Sequence, residues 1–169
     1  MLIPADLLLL QHHVFDPCGF QYTKPQEEAE SAEYEAHFFK LNDLTVRYRK
    51  AKVTPTKIGQ FVTFWKREGN GPIQPYQSSD IIDLLIVSVC NDYHSGVFVF
   101  SRAVLISQGI ISTETKEGKR AFRVYPPWDI PMSMQAIKTQ KWQLEYFLDI
   151  GSGDMDKDRV NELLKVTTT

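Results

Sequence analysis

Residues 48–67 read YRKAKVTPTKIGQFVTFWKR, and the parsing of this stretch decides the fold. Between Lys40 and Arg67 the chain carries eight cations (Lys40, Arg47, Arg49, Lys50, Lys52, Lys57, Lys66, Arg67) and one acid, Asp43. The whole protein has a formal charge of −2, so this positive charge is a local concentration. Basic and apolar residues alternate from Val46 to Val53, which predicts a strand with Arg47 and Arg49 on one face and Val46, Tyr48, Lys50 and Lys52 on the other. Thr54-Pro55-Thr56 turns the chain. Thr54 or Thr56 then caps an expected helix over Lys57–Arg67, with Ile58, Phe61, Val62 and Trp65 along one side. A helix start beside a basic strand gathers cations, hydroxyls and N–H groups at one place, which suits an anion. A solvated edge strand, guarded by its lysines, is the competing reading.

Outward from this stretch, the chain alternates strand and helix patterns. Pro4 and Asp6 open a helix that runs to Phe15 and stops at Asp16-Pro17-Cys18-Gly19. The acidic segment Gln21–Ser31 has no period and reads as a solvated loop. Tyr34–Leu41 and Leu44–Val53 form a hairpin about Asn42-Asp43. A turn-rich loop spans Glu68–Ser79. Asp83–Cys90 and Val97–Ser101 are apolar enough to be buried on both faces. Helices are expected at Arg102–Gly109, Pro131–Leu148 and Asp154–Lys165, with a hairpin at Ile110–Tyr125 around Glu117-Gly118. With 169 residues and 43% hydrophobic content, this gives one α/β domain with a mixed central sheet flanked by helices. The domain is assigned to residues 1–150. Residues 151–169 read as a C-terminal extension, a short helix and a frayed Thr tail.

Several function classes find no support. Cys18 and Cys90 are far apart, and the four histidines show neither HExxH nor Cys/His spacing, so no metal or cofactor is expected. There is no P-loop, GxGxxG or GxSxG motif. The leucine run near the N-terminus lacks a basic lead, and no segment is long enough to span a bilayer, which points to a cytoplasmic protein without membrane contact. A second basic and aromatic cluster, KRAFRVYPPW at 119–128, interleaves Lys119, Arg120 and Arg123 with Phe122, Tyr125 and Trp128. Cations that hold phosphate beside rings that stack on bases are the parts of a single-strand binder. A core hairpin with outward charges fits the segment equally well.

YRKAKVTPTKIGQFVTFWKR, FRVYPPW and KTQKWQLEYF, in that order, resemble the MepB family of small bacterial proteins, over roughly Tyr22 to Ile150. The resemblance implies a restriction-endonuclease-like core of the PD-(D/E)XK type, in which two acids and a lysine hold a metal against a phosphodiester. Lys52 matches the motif lysine, but Lys50 stands where the second acid belongs, leaving Glu35 as one carboxylate and Asp43 in a turn. One carboxylate among cations is a poor magnesium site. The expectation is therefore a degenerate nuclease fold that binds nucleic acid, single strands favoured, without cutting it. Arg47, Arg49, Lys50, Lys52, Thr54, Thr56, Lys57, Gln60 and Arg123 would hold the strand, with Tyr125 and Trp128 as stacking platforms. Two alternatives stand beside it. One is a metal-dependent nuclease using Glu35, Lys52 and Asp43 or Glu33. The other is an accessory protein for a small anionic or aromatic ligand, because some family members are encoded beside a multidrug efflux pump and its repressor. The oligomeric state is open.

Overall fold

A computed structural model describes residues 2–165. Its strands, in chain order, are β1 (Gln26–Glu27), β2 (His37–Leu41), β3 (Leu44–Lys50), β4 (Lys52–Val53), β5 (Gln60–Thr63), β6 (Lys66–Arg67), β7 (Ile73–Gln74), β8 (Leu84–Cys90), β9 (Ser95–Ser101), β10 (Ala121–Val124) and β11 (Phe147–Asp149). The helices are α1 (Ala5–Leu10, continued as a wider π turn through Phe15), α2 (Arg102–Ser107), α3 (Met134–Gln143) and α4 (Lys157–Leu164). The main sheet has the order β1-β2-β3-β8-β9-β11. Only its central pair, β3 with β8, is parallel; the others are antiparallel. A smaller sheet, β10-β5-β4, and the ribbon β6-β7 complete the architecture.

Strand alternation divides the core. On one face of the main sheet, Val46, Tyr48, Leu84, Ile86, Val97 and Val99 pack under Leu7, Leu10, Val14 and Phe15 of the first helix. On the other, Leu85, Val87, Phe98 and Phe100 meet Val62, Phe64, Phe122 and Val124 of the small sheet and Leu105 of α2. The mixed α/β domain is as expected, and the β2–β3 hairpin and the apolar strands β8 and β9 lie where their patterns place them. Among the described residues, no helix is long and apolar enough to cross a membrane.

Four segments differ from expectation. The strand read as continuous through Val53 breaks at Ala51, so Lys50 ends β3 while Lys52 begins β4 in the other sheet. The helix expected over 57–67 is absent. Gly59 has φ +86 and a Cβ there would strike the Tyr125 ring, after which Gln60–Thr63 run extended against β10. Helical and alternating patterns both fit this stretch, and pairing with β10 puts Val62 and Phe64 inside. The 110–125 hairpin is replaced by the single strand β10, which pairs with β5. Gly118 instead tucks its Cα against the Ile110–Ser112 backbone. The helix drawn to Leu148 ends at Gln143, and a tight turn leads into β11, which pairs with β9.

The C-terminal helix packs into the core: Val160, Leu163 and Leu164 of α4 are buried in the cluster under α1. The short helix expected in the C-terminal extension is therefore α4, packed against the core, while the Thr tail lies outside the described residues. Asp156 caps α4, its carboxylate accepting from the Arg159 N–H at 3.0 Å.

Arg49 joins the two sheets. Its side chain is 0% exposed and is ion-paired to Glu28, itself only 8% exposed. Its Nε donates to the Thr63 carbonyl of β5 at 3.2 Å, and its guanidinium lies 5.5 Å from the Phe64 ring centroid. Glu28 also accepts from Arg47 at 2.7 Å and from the Tyr76 hydroxyl at 3.1 Å. The segment read as a solvated acidic loop thus supplies the counter-charge of the interior.

Three stability outcomes follow from this packing. Leu163→Ala lowers unfolding free energy by about 2–5 kcal/mol in denaturant titration, whereas a dispensable terminal helix would show almost no change. Glu28→Gln costs about 3–5 kcal/mol by stranding the Arg49 charge, and adding Arg49→Met recovers much of the loss. Tyr48, buried with its hydroxyl donated to Ser88 at 2.8 Å, has its pKa pushed above the usual tyrosine range by burial. A pKa raised in the folded state stabilises below the unfolded value of about 10 and stops doing so as pH climbs past it. The deficit of Tyr48→Phe relative to the native protein should therefore shrink above pH ~10 in pH-dependent melting.

Candidate nucleic-acid interface

The small sheet brings together residues that lie far apart in sequence. Register pairs Lys52 with Phe61 and Phe61 with Arg123, so the three form one cross-strand row on β4, β5 and β10. Residues directly opposite in neighbouring strands point to the same face. Their inward neighbours Val62, Phe122 and Val124 are buried in the core, so the row occupies the outer face. Tyr34 packs on Phe61 at 6.2 Å between centroids, and the Lys52 ammonium sits 5.0 Å from the Tyr34 ring. The Arg123 guanidinium lies 5.7 Å from the Phe61 centroid. One ring between two cations thus crosses the short sheet, with a second ring from the turn before β2 beside it.

The loop beside this row is held by Arg123. Its Nη2 donates to the Thr54 hydroxyl at 2.8 Å and its Nη1 to the Gly59 carbonyl at 3.3 Å. These bonds fold the Thr-Pro-Thr segment against β10 and leave Thr56 and Lys57 exposed at its tip. The Tyr125 ring comes close against Gly59, an approach that needs the missing Cβ. Its backbone N–H donates to Gln143 Oε1 at 2.8 Å. Gln60 is buried and donates from Nε2 to the Cys90 carbonyl at 3.0 Å, tying β5 to the end of β8 instead of facing solvent.

Other residues expected at the site lie elsewhere. Arg49 is interior and cannot reach a strand in solution. Arg47 is paired with Glu28 and lies over Phe38 and Tyr76. Together with Arg67 and Trp65 it lines a cleft of about 580 Å³ whose walls also carry Glu27, Glu28 and Glu30. Lys50 reaches the Asp6 carboxylate at 2.7 Å, a bond that raises its pKa above the ordinary lysine value against the opposing effect of burial. Trp128 packs edge-on to Phe147 of β11 and face-on to His94 at 5.3 Å, so one of its faces is already covered.

Of the carboxylates proposed for a metal, Glu35 and Asp43 do not converge, and no group of three or more His, Cys, Asp or Glu side chains among the described residues is placed to hold an ion. Asp43 sits in the β2–β3 turn beside the Leu41–Leu44 pair, while Glu35 lies beyond the His37–Tyr48 pair at the hairpin's other end. At about 3.3 Å per residue, they are on the order of 20 Å apart. Sequence reasoning missed Phe61 as a surface aromatic by placing it on a helix, and Tyr34 by treating it only as part of a strand. The alternation Gln60–Phe64 was the signal that could have found Phe61. Also unanticipated is the interior group at the end of β3, where Glu35 Oε2 and His37 Nε2 are buried without a hydrogen-bond partner among the described residues.

The chain is similar to known proteins over most of its length. A family model described as MepB-like matches residues 28–149. A solved structure, the crystal structure of MepB, is 38% identical, with a TM-score of 0.75, covering 86% of this chain and 97% of that one. No curated protein matches the sequence. The family match takes in β2 through β11, and therefore the small sheet with its cross-strand row and all of the main sheet but β1. With more than half the chain matched and a solved relative spanning nearly its full length, this protein belongs to the MepB-like family.

Proposed function

We propose that the outer face of the small sheet binds single-stranded nucleic acid. The observation that carries this reading is the row Lys52–Phe61–Arg123 with the Tyr34 ring packed at a tilt at its side. Lys52 and Lys57 take phosphate, while the Phe61 and Tyr34 rings offer faces to unpaired bases. Arg123 positions the 54–59 loop and adds its charge to the face. A flexible single strand can bring both its backbone and its bases to such a short surface. A duplex keeps its bases stacked inside, where these rings gain nothing from them.

We read the fold as a nuclease-like core without its chemistry. A helix, an antiparallel hairpin and a strand returning parallel to the hairpin's second strand give an order similar to the PD-(D/E)XK arrangement. Two features favour binding over cleavage: the separation of Glu35 from Asp43, and the engagement of Lys52 with a tyrosine ring instead of a carboxylate. Hydrolysis of a phosphodiester with magnesium needs oxygen ligands gathered at one point.

Fluorescence anisotropy with a labelled oligonucleotide across a salt series tests the reading. Affinity falls as salt rises, with a log–log slope of about −0.7 per phosphate contact, and Lys52→Ala and Lys57→Ala each flatten it by about that amount. Phe61→Ala weakens binding by about 1–3 kcal/mol at an unchanged slope. Absence of binding at low salt, or wild-type slopes in both lysine variants, contradicts the assignment. With magnesium or manganese added, the same oligonucleotide stays intact. Cleavage that Glu35→Ala abolishes would show a working metal site.

A further inference from the structure

β10 is an edge strand, and its free edge runs along a pocket of about 330 Å³ between the end of α2 and α3. The hydrogen-bond pattern fixes which backbone groups face outward. The Arg120 carbonyl accepts from Phe64 on the β5 side, so the even-numbered residues pair inward and the odd-numbered ones turn to the free edge. At one end of this edge Lys119 N–H is bonded to the Ile110 carbonyl at 2.9 Å. At the other, Gln143 imitates a neighbouring strand: it donates to the Arg123 carbonyl at 2.9 Å and accepts from Tyr125 N–H at 2.8 Å.

Between these closures the Ala121 N–H and carbonyl and the Arg123 N–H have no partner among the described residues, and of these two residues Arg123 lines the pocket. They flank Phe122, which lines the pocket together with Trp142, Lys119, Ala136 and Thr139. A continuous extended peptide cannot add to this edge, because Ile110 and Gln143 block it on both sides. A compact planar ligand can enter. The carbonyl of one residue and the N–H of the residue two further on offer an acceptor beside a donor, and the aromatic residues Phe122, Tyr125 and Trp142 line the cavity.

We propose that this pocket binds a nucleobase, whose edge presents a donor beside an acceptor to the Ala121 carbonyl and the Arg123 N–H. The ring lies among Phe122 and Trp142. The pocket volume is at the lower end of the range for small-molecule sites, about 300–1,000 Å³, which suits one base better than an extended strand. The proposal deepens the reading of the neighbouring sheet face as a nucleic-acid surface, yet it is tested without any strand.

Titration calorimetry with adenosine, cytidine, guanosine and uridine, and with ribose 5-phosphate as a base-free control, decides it. At least one nucleoside binds saturably and ribose 5-phosphate does not. In ¹⁵N-resolved spectra the Arg123 amide is among the most shifted signals. Thr139→Trp and Ala136→Trp, which fill the pocket from α3, each weaken nucleoside binding more than tenfold at an unchanged melting temperature. If one variant misfolds, the other and the Arg123 amide shift still decide. No nucleoside binding by the native protein, wild-type affinity in the folded pocket variants, or equal binding of ribose 5-phosphate overturns the proposal. Loss of oligonucleotide binding with nucleoside binding retained would instead count against the sheet-face reading alone.

Discussion

The ion pair between Arg49 and Glu28 is the constraint on which the rest of the structure depends. A guanidinium with no exposed surface must have its charge answered inside the protein. Glu28 supplies that charge, and the Thr63 carbonyl and the Phe64 ring complete the surroundings. Because Arg49 lies on β3 and Thr63 on β5, satisfying one side chain fastens the small sheet to the large one. Tyr76 and Arg47 bond the same carboxylate, so the segment before β2 and the ribbon beyond β5 are drawn to the same point.

This constraint changes the meaning of the basic stretch. Seen along the chain, Arg47 to Lys52 is an unneutralised run of cations. In space, Arg47 and Arg49 share Glu28, and Lys50 meets Asp6 on the first helix. The acids come from positions far upstream, and no local pattern announces them. Lys52 and Lys57 remain, carried past the Ala51 break onto the other sheet. Arg123 reaches them only because β10 pairs with β5. Parts of the two basic and aromatic clusters of the sequence therefore meet on one surface, assembled by a strand pairing across some sixty residues.

What was legible in the sequence was whatever local periodicity determines. The β2–β3 hairpin, the apolar strands β8 and β9 and the opening helix each show an unambiguous period. Residues 57–67 do not: Ile58, Phe61, Val62 and Trp65 suit a helix, while Val62 and Phe64 suit one face of a strand. Pairing with β10, together with the Tyr125 ring over Gly59, settles the matter through contacts invisible to a local window. Glu28 was illegible for a similar reason, since an acid in an aperiodic polar segment looks solvated until its partner is known. Of the residues expected at the site, Lys52, Thr54, Thr56, Lys57, Arg123 and Tyr125 gather at the small sheet and its loop. Arg49 and Gln60 are structural, and Trp128 belongs to the packing around β11.

The central claim is that the chain's binding face is the small sheet and its Thr-Pro-Thr loop, with the buried arginine as its support. Amide hydrogen exchange, measured with and without a saturating single-stranded oligonucleotide, tests this most directly. The account predicts new protection centred on residues 52–63 and 121–125, with β8 and β9 unaltered. Protection centred on the Arg47–Arg67 cleft or on α1, with β4, β5 and β10 exchanging as in the free protein, would contradict it.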